Sequence, residues 1–264
     1  MAKSKDPRYS GFARLWILPA RDAPRVVVIR RKPAAWWHVL LWETGANTIT
    51  HGAWHKGVFY PTRSDVSPNG ELMTCMLGWG WGRGVATVPD LTWLLRWCDI
   101  GSYGSAGLFV SEAEIEVDLG CTFRQIFDTP GFTVRQLEND FLSARLLRDG
   151  WTQVGDRNWF LKPSGSAPMI EMREMPFEAS YGHRFCFEVE GAPQTFNDSI
   201  FWACYDCLGQ LLVAREGRIE QYKSGDFLSH RPSYVCDLND LVRPPDHQFT
   251  LFPLSEEDML EPLL

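Results

Sequence analysis

The sequence lacks several features that would assign it to a common functional class. It contains no run of about 20 apolar residues, so it predicts no membrane-spanning helix. It also has no surplus of positive charge, because 26 Lys and Arg stand against 33 Asp and Glu, a net charge of −7. This acidic balance argues against nucleic acid as the principal partner, although it leaves room for a local basic patch.

Neither a disulfide framework nor a secretory leader is indicated. The 7 Cys are odd in number and scattered over 264 residues, a pattern typical of reduced thiols that behave as small apolar side chains. The basic first residues run into Gly11-Phe-Ala-Arg14 rather than into an apolar segment, so we expect no secretory signal. These observations predict a cytoplasmic protein.

What the chain has in abundance is aromatic and β-branched residues. It contains 12 Trp, 16 Phe and 7 Tyr, and 45% of its residues are hydrophobic. Such residues favour pleated, half-buried surfaces, and short runs of them alternate with turn residues, as at 25–30 and 36–42. We expect one β-rich domain over 1–264, with a helical insert at about 133–148 and an acidic tail at about 254–264.

A tight turn at Pro68-Asn69-Gly70 is the sharpest local signal, and a second copy lies within 202–214. Pro presets φ, whereas Asn and Gly tolerate the positive φ that such turns require. Superposing Gly70 on Gly209 aligns Ser67 with Asp206, which gives the shared pattern (Ser/Asp)-x-x-Gly-polar-Leu. We interpret both copies as turns between adjacent antiparallel strands.

The segment Ser64-Asp-Val-Ser-Pro-Asn-Gly-Glu-Leu72 resembles the β-hairpin signature of WD-repeat and TolB-like propeller blades. The order of features over most of residues 12–219 is also similar to that of an uncharacterised bacterial family. The matching features are Gly52–Gly57, Arg63–Gly70, Pro89–Trp97 with Gly107–Phe109, and Asp206–Ala214. The resemblance implies a β-propeller with irregular blades and assigns no catalytic residues. Two packed antiparallel sheets are the alternative fold.

Two patterns suggest metal ligands, and in both a structural interpretation is favoured. Cys204-x-x-Cys207-x-Gly has the form of a zinc knuckle, but no second ligand pair has a standard spacing, and the repeat explains Gly209 as a turn residue. His51 and His55 are four positions apart, as are the two zinc ligands of the His-Glu-x-x-His motif on a zinc-protease helix. Gly52, however, stands where that motif has Glu. We predict no metal and no cofactor.

The segment Gly78–Gly84 (GWGWGRG) is the candidate binding surface. If it is extended, alternation places Trp79, Trp81 and Arg83 on one face and the glycines on the other. Such a face binds a partner by stacking and cation–π contacts, or it packs inside the fold while glycine lets other backbones approach. Both interpretations remain open from the sequence.

No Ser-His-Asp order, P-loop or nucleophile elbow is recognisable, so we predict a non-catalytic protein–protein interaction module. The expected partner is another protein in a heteromeric complex, with a basic surface that complements the acidic balance of this chain. The resemblance suggests an accessory or regulatory subunit of a bacterial defence, toxin–immunity or regulatory system. A carbohydrate-binding or carbohydrate-active protein that uses Trp platforms is the alternative.

Overall fold

Five small β-sheets form a ring, and the protein is a five-bladed β-propeller. In this computed structural model, strands make up 51% of the residues described. The propeller prediction is confirmed, and the alternative of two packed sheets is wrong. The described residues are 11–32, 36–77, 82–97, 106–117, 131–163, 165–175, 184–223, 226–229 and 231–243.

Blades 1, 2, 4 and 5 are antiparallel meanders of four strands in sequence order. Blade 1 contains β1 (Arg14–Pro19), β2 (Arg25–Arg31), β3 (Trp36–Glu43) and β4 (Thr48–Lys56), and blade 2 contains β5 (Asp65–Val66), β6 (Leu72–Leu77), β7 (Gly82–Thr87) and β8 (Trp93–Trp97). Blade 4 contains β12 (Thr152–Val154), β13 (Asn158–Leu161), β14 (Ile170–Met175) and β15 (Arg184–Val189), and blade 5 contains β16 (Ile200–Tyr205), β17 (Leu211–Arg215), β18 (Arg218–Tyr222) and β19 (Tyr234–Asp237).

Blade 3 is the irregular blade. Its three strands are β9 (Leu108–Phe109), β10 (Glu114–Val117) and β11 (Thr133–Gln136). β9 pairs antiparallel with β10, whereas β11 pairs parallel with it. A parallel pair requires a longer connection than a hairpin, and the chain between β10 and β11 is accordingly long.

The helical insert is shorter than the sequence predicted. Residues 133–136 form the strand β11, and α1 begins only at Phe141 and ends at Arg148. Asp140 is the N-cap, because its carboxylate accepts a hydrogen bond from the Ser143 amide. Pairing with β10 outweighs the helical spacing of Val134 with Leu137 and Phe141, as tertiary contacts commonly do. A second, one-turn helix α2 covers Gln194–Asn197.

Alternation along the strands of blade 1 divides its apolar side chains between two interfaces. Val26 and Val28 belong to the core shared with blade 5, whereas Val27 and Ile29 belong to the core shared with blade 2. All four side chains are completely buried. Blade 1 thus stabilises the ring by burying both of its faces against its neighbours.

The ring closes between blades 1 and 5 without a shared sheet, since the described strands of the two blades pair only within their own blade. β1 packs against β16, and the buried Arg30 guanidinium donates hydrogen bonds to the carbonyl oxygens of Leu238, Asn239 and Leu241. The Asn239 side chain also accepts from the Ala13 amide at 2.9 Å. Polar contacts to the segment after β19 therefore add to the shared apolar core that holds the first and last blades together.

Helix α1 packs between blades 3 and 4. Phe141 packs with Leu108 on the blade 3 side, and Leu142 and Leu146 join the large core that contains blades 4 and 5. Further along α1, the Arg148 guanidinium forms a bidentate ion pair with the buried carboxylate of Asp65 in blade 2. This ion pair fixes the position of α1 relative to β5.

Candidate functional site

Four hairpins that connect an innermost strand to the next strand come together at one end of the propeller. They are β1–β2, β5–β6, β9–β10 and β16–β17, and these inner strands run in the same direction along the propeller axis. We call this surface the hairpin face and define it by residues 20–24, 67–71, 110–113 and 206–210. The two turn copies predicted from the sequence are part of it.

The blade 2 hairpin is the turn predicted at Pro68-Asn69-Gly70. The Gly70 amide donates to the Ser67 carbonyl oxygen at 2.9 Å, and Gly70 has a φ of +77°. The Asn69 side-chain oxygen accepts from the Glu71 amide at 2.9 Å. A Cβ at Gly70 would lie 2.8 Å from the Arg25 Cβ, so glycine is required by space as well as by φ.

The blade 5 hairpin repeats this geometry. The Gly209 amide donates to the Asp206 carbonyl oxygen at 3.0 Å, with a φ of +72° at Gly209. The buried Asp206 carboxylate accepts from the amides of Leu208 and Gln210 at 3.0 and 2.8 Å, and from the Thr44 hydroxyl at 2.7 Å. The sequence alignment of the two turns is therefore confirmed.

This hairpin also explains the Cys204-x-x-Cys207 spacing. Cys204 is buried in β16, where desolvation raises the pKa of its thiol, whereas Cys207 is exposed in the turn. Across the described ranges, no three His, Cys, Asp or Glu side chains are grouped so as to hold a metal ion. The absence of zinc stays a prediction, checked by metal analysis of the purified protein.

Hydrogen bonds join neighbouring hairpins into one platform. The Asp22 amide donates to the Pro68 carbonyl oxygen at 2.9 Å, and the Asn69 amide donates to the Glu112 carboxylate at 2.6 Å. The Arg21 guanidinium donates to the Val110 carbonyl oxygen at 3.0 Å. These bonds connect blades 1, 2 and 3, and the Thr44–Asp206 bond connects blades 1 and 5. The face is preorganised, which lowers the entropy cost of binding.

The hairpin face is acidic with two exposed apolar tips. Leu208 is 56% exposed and Val110 is 40% exposed. Arg25, between blades 1 and 2, forms ion pairs with Glu43 at 2.9 Å and Glu71 at 3.1 Å. Hydrogen bonding to Glu71 is the largest of the contributions that raise the pKa of Arg25. The exposed carboxylates of Asp22, Glu71 and Glu112 leave this surface with a surplus of negative charge.

Arg83, a candidate binding residue from the sequence, is not part of the hairpin face. Trp79 and Trp81 fall outside the described residues, and Arg83 lies in β7 with only 4% of its surface exposed. The binding prediction for this segment stays a prediction. His51 is exposed and His55 is buried, so the two imidazoles lie in different environments.

The sequence analysis did not identify Leu208 and Val110 as surface residues, because it interpreted the turn pattern only as a connection between strands. A usable signal was present, since Leu208 is a large apolar residue inside the Asp206–Gly209 turn, where a polar residue is typical. A large exposed side chain on a rigid turn is a common feature of binding surfaces. Val110 offers a similar signal, because it directly follows the buried strand β9 and precedes Ser111.

Comparisons with known proteins add no relative. No protein-family model matches the chain, and a search of curated proteins finds no match. In the part of the chain that the structure describes, no helix has the length and apolar character needed to cross a membrane.

Proposed function

We propose that this protein is a non-catalytic interaction module that binds another protein through the hairpin face. The observation that carries the proposal is the hydrogen-bonded platform of four hairpins with Leu208 and Val110 exposed at its tips. Apolar side chains on a preorganised surface can be buried by a partner without a large cost in conformational entropy.

The charge of the hairpin face supports a partner with a basic surface. The carboxylates of Asp22, Glu71 and Glu112 surround the apolar tips, so the complementary surface carries Lys or Arg around an apolar pocket. Steering by these charges makes the association rate fall as salt rises. The accessory or regulatory role in a bacterial complex belongs to the same proposal and rests on the resemblance alone.

The carbohydrate alternative depends on exposed Trp platforms, for which the described residues offer little support. Six of the described Trp side chains are buried, namely Trp37, Trp42, Trp54, Trp151, Trp159 and Trp202. Trp16, Trp36 and Trp93 are half-buried. A protein partner is therefore the function that the described surface favours.

The test is co-purification of tagged variants from a host that makes the partner. Leu208→Glu replaces one apolar tip of the hairpin face by a carboxylate, in addition to the three that already surround the tips. We expect at least about a 30-fold loss of affinity for the partner, the equivalent of about 2 kcal/mol. Val235→Glu is the matched control, because Val235 is 46% exposed on the outer strand β19. Equal capture by Leu208→Glu and the unmodified protein would contradict the proposal.

A further inference from the structure

A cavity of about 50 Å³ lies between α1, β1, β16 and one face of blade 4. Two of its lining residues, Pro19 and Tyr205, directly precede the hairpin-face segments 20–24 and 206–210. The cavity is partly open to solvent, and Pro19, Leu161 and Tyr205 at its wall are half-buried. A small molecule can therefore enter it from the end of the propeller that carries the hairpin face.

Most of the side chains that line the cavity are apolar. The larger ones are Leu146, Trp151, Leu161, Met172, Phe187 and Trp202. Such a lining favours an apolar group over water, because burial removes apolar surface from water. By the same measure of volume, one water molecule needs about 10–15 Å³, so the cavity holds about three to five non-hydrogen atoms. A ligand of this site is therefore small and partly apolar.

The Arg145 guanidinium is the polar group of the cavity that has donors to spare. Arg145 is only 3% exposed and lines the cavity. Its Nη1 donates to the Ser64 carbonyl oxygen at 2.7 Å, and in the described part of the chain its other N–H groups have no hydrogen-bond acceptor. Burial lowers the pKa of Arg145 more than the neighbouring carboxylates raise it, so its surroundings do not fully compensate its charge.

The two carboxylates nearest to Arg145 are both engaged by Arg148. Asp65 accepts from Nη1 and Nη2 of Arg148, and Asp149 accepts from its Nε at 2.8 Å. Neither carboxylate forms an ion pair with Arg145. Burial, the largest influence on Asp149, raises the pKa of its carboxyl group and so favours its neutral form. Arg145 is thus a buried cation whose counter-charge is not in direct contact with it.

We propose that this cavity binds a small aliphatic carboxylate of about two or three carbon atoms. The carboxylate accepts charge-assisted hydrogen bonds from the remaining N–H groups of Arg145, and the alkyl group packs among the apolar side chains. Water in the same place would leave the buried charge of Arg145 without a counter-ion, which is costly. Sulfate would bring a second negative charge next to Asp65 and Asp149, so a monocarboxylate fits the cavity better.

This site goes beyond the proposed protein interaction. The exposed tips Leu208 and Val110 are not among the residues that line the cavity. The carboxylate is tested on the isolated chain, whereas the protein partner is tested by capture from a host. Either proposal can therefore fail without the other.

The experiment is a saturation-transfer difference NMR titration of the full chain with sodium propionate at constant ionic strength. We expect the signal of the propionate methyl protons to saturate as its concentration rises. Propionamide has nearly the same shape but no charge, so it should bind at least about tenfold more weakly, the cost of losing charged hydrogen bonds. Sulfate at the same ionic strength should not displace propionate.

Two variants alter the cavity, and a third is the matched control. Arg145→Met removes the guanidinium and should weaken propionate binding at least about tenfold. Leu161→Trp keeps Arg145 but fills the cavity from its half-buried wall, and it should prevent binding. Arg157→Met removes an exposed guanidinium between β12 and β13 that does not line the cavity, so it should bind like the unmodified protein.

Four results would overturn the proposal. The first is the absence of saturable propionate binding, and the second is propionamide that binds as tightly as propionate. The third is unchanged affinity in Leu161→Trp, which stays decisive if circular dichroism shows that Arg145→Met does not fold. The fourth is an equal loss of affinity in Arg145→Met and Arg157→Met, because binding would then follow overall charge rather than the cavity.

Discussion

Arg148 provides the most direct test of how α1 is held in the ring. Its guanidinium donates to both carboxylate oxygens of Asp65 and to the Phe109 carbonyl oxygen at 2.9 Å. The exposed fractions of the Arg148 and Asp65 side chains are 15% and 5%, so Arg148→Met would leave a buried carboxylate without its ion-pair partner. We expect this variant to be strongly destabilised.

The magnitude follows from burial. Removing one partner of a buried ion pair costs about 3–5 kcal/mol, whereas an exposed pair contributes about 0–1 kcal/mol. The matched control is Arg173→Met, which breaks the 3.1 Å pair between Arg173 and Glu171 on blade 4, where the Arg173 side chain is 50% exposed. Combining Arg148→Met with Asp65→Asn should destabilise by about 1–3 kcal/mol less than the sum of the single changes.

Urea unfolding followed by Trp fluorescence measures all four variants. The reasoning would be refuted if Arg148→Met cost no more than Arg173→Met, or if the changes at Arg148 and Asp65 were simply additive. Either result would mean that the position of α1 depends on its apolar contacts alone. An unchanged m-value across the series would show that the free energies of unfolding are comparable.

Three further predictions concern the turn, the ring closure and pH. Gly70→Val should lower the free energy of unfolding by about 1–3 kcal/mol through positive φ and the 2.8 Å approach to Arg25, while Gly155→Val, also at positive φ but in open space, should cost less. Arg30→Met should cost about 3 kcal/mol by removing charged hydrogen bonds to the segment after β19, and limited proteolysis should then cut that segment faster. Burial lowers the pKa of His55 to about 4, so the unfolded chain binds its proton first as pH falls. Stability should therefore drop by about 3 kcal/mol from pH 7 to pH 4, and His55→Gln should remove that part of the slope in urea titrations at each pH.

The turns could be predicted because their determinants are local. Pro68, Asn69 and Gly70 favour one backbone geometry whatever surrounds them, and Asp206 accepts hydrogen bonds from amides two and four residues along the chain. The propeller resemblance rested on the same local pattern. For that reason the fold class could be reached from the sequence, while the number of blades had to come from the structure.

The ring closure and the boundaries of the helix could not be predicted in the same way. Arg30 bonds to carbonyl oxygens about 210 residues away in sequence, and no local pattern marks such partners. Val134 stands at helical spacing from Leu137 and Phe141, but residues 133–136 form a strand because β10 offers them a parallel partner. The candidate site could not be predicted for a related reason. The hairpin face forms only when the fold brings turns that are distant in sequence to one end of the propeller.

Site-specific photo-crosslinking at position 208 tests the central claim most directly. A photoreactive amino acid in place of Leu208 should capture one discrete protein in cells, and the same substitution at Val110 should capture the same protein, because both tips belong to the hairpin face. Position 235, on the outer strand of blade 5, should capture nothing specific. The account would be contradicted if positions 208 and 110 gave no crosslinked species, or if position 235 captured the partner instead.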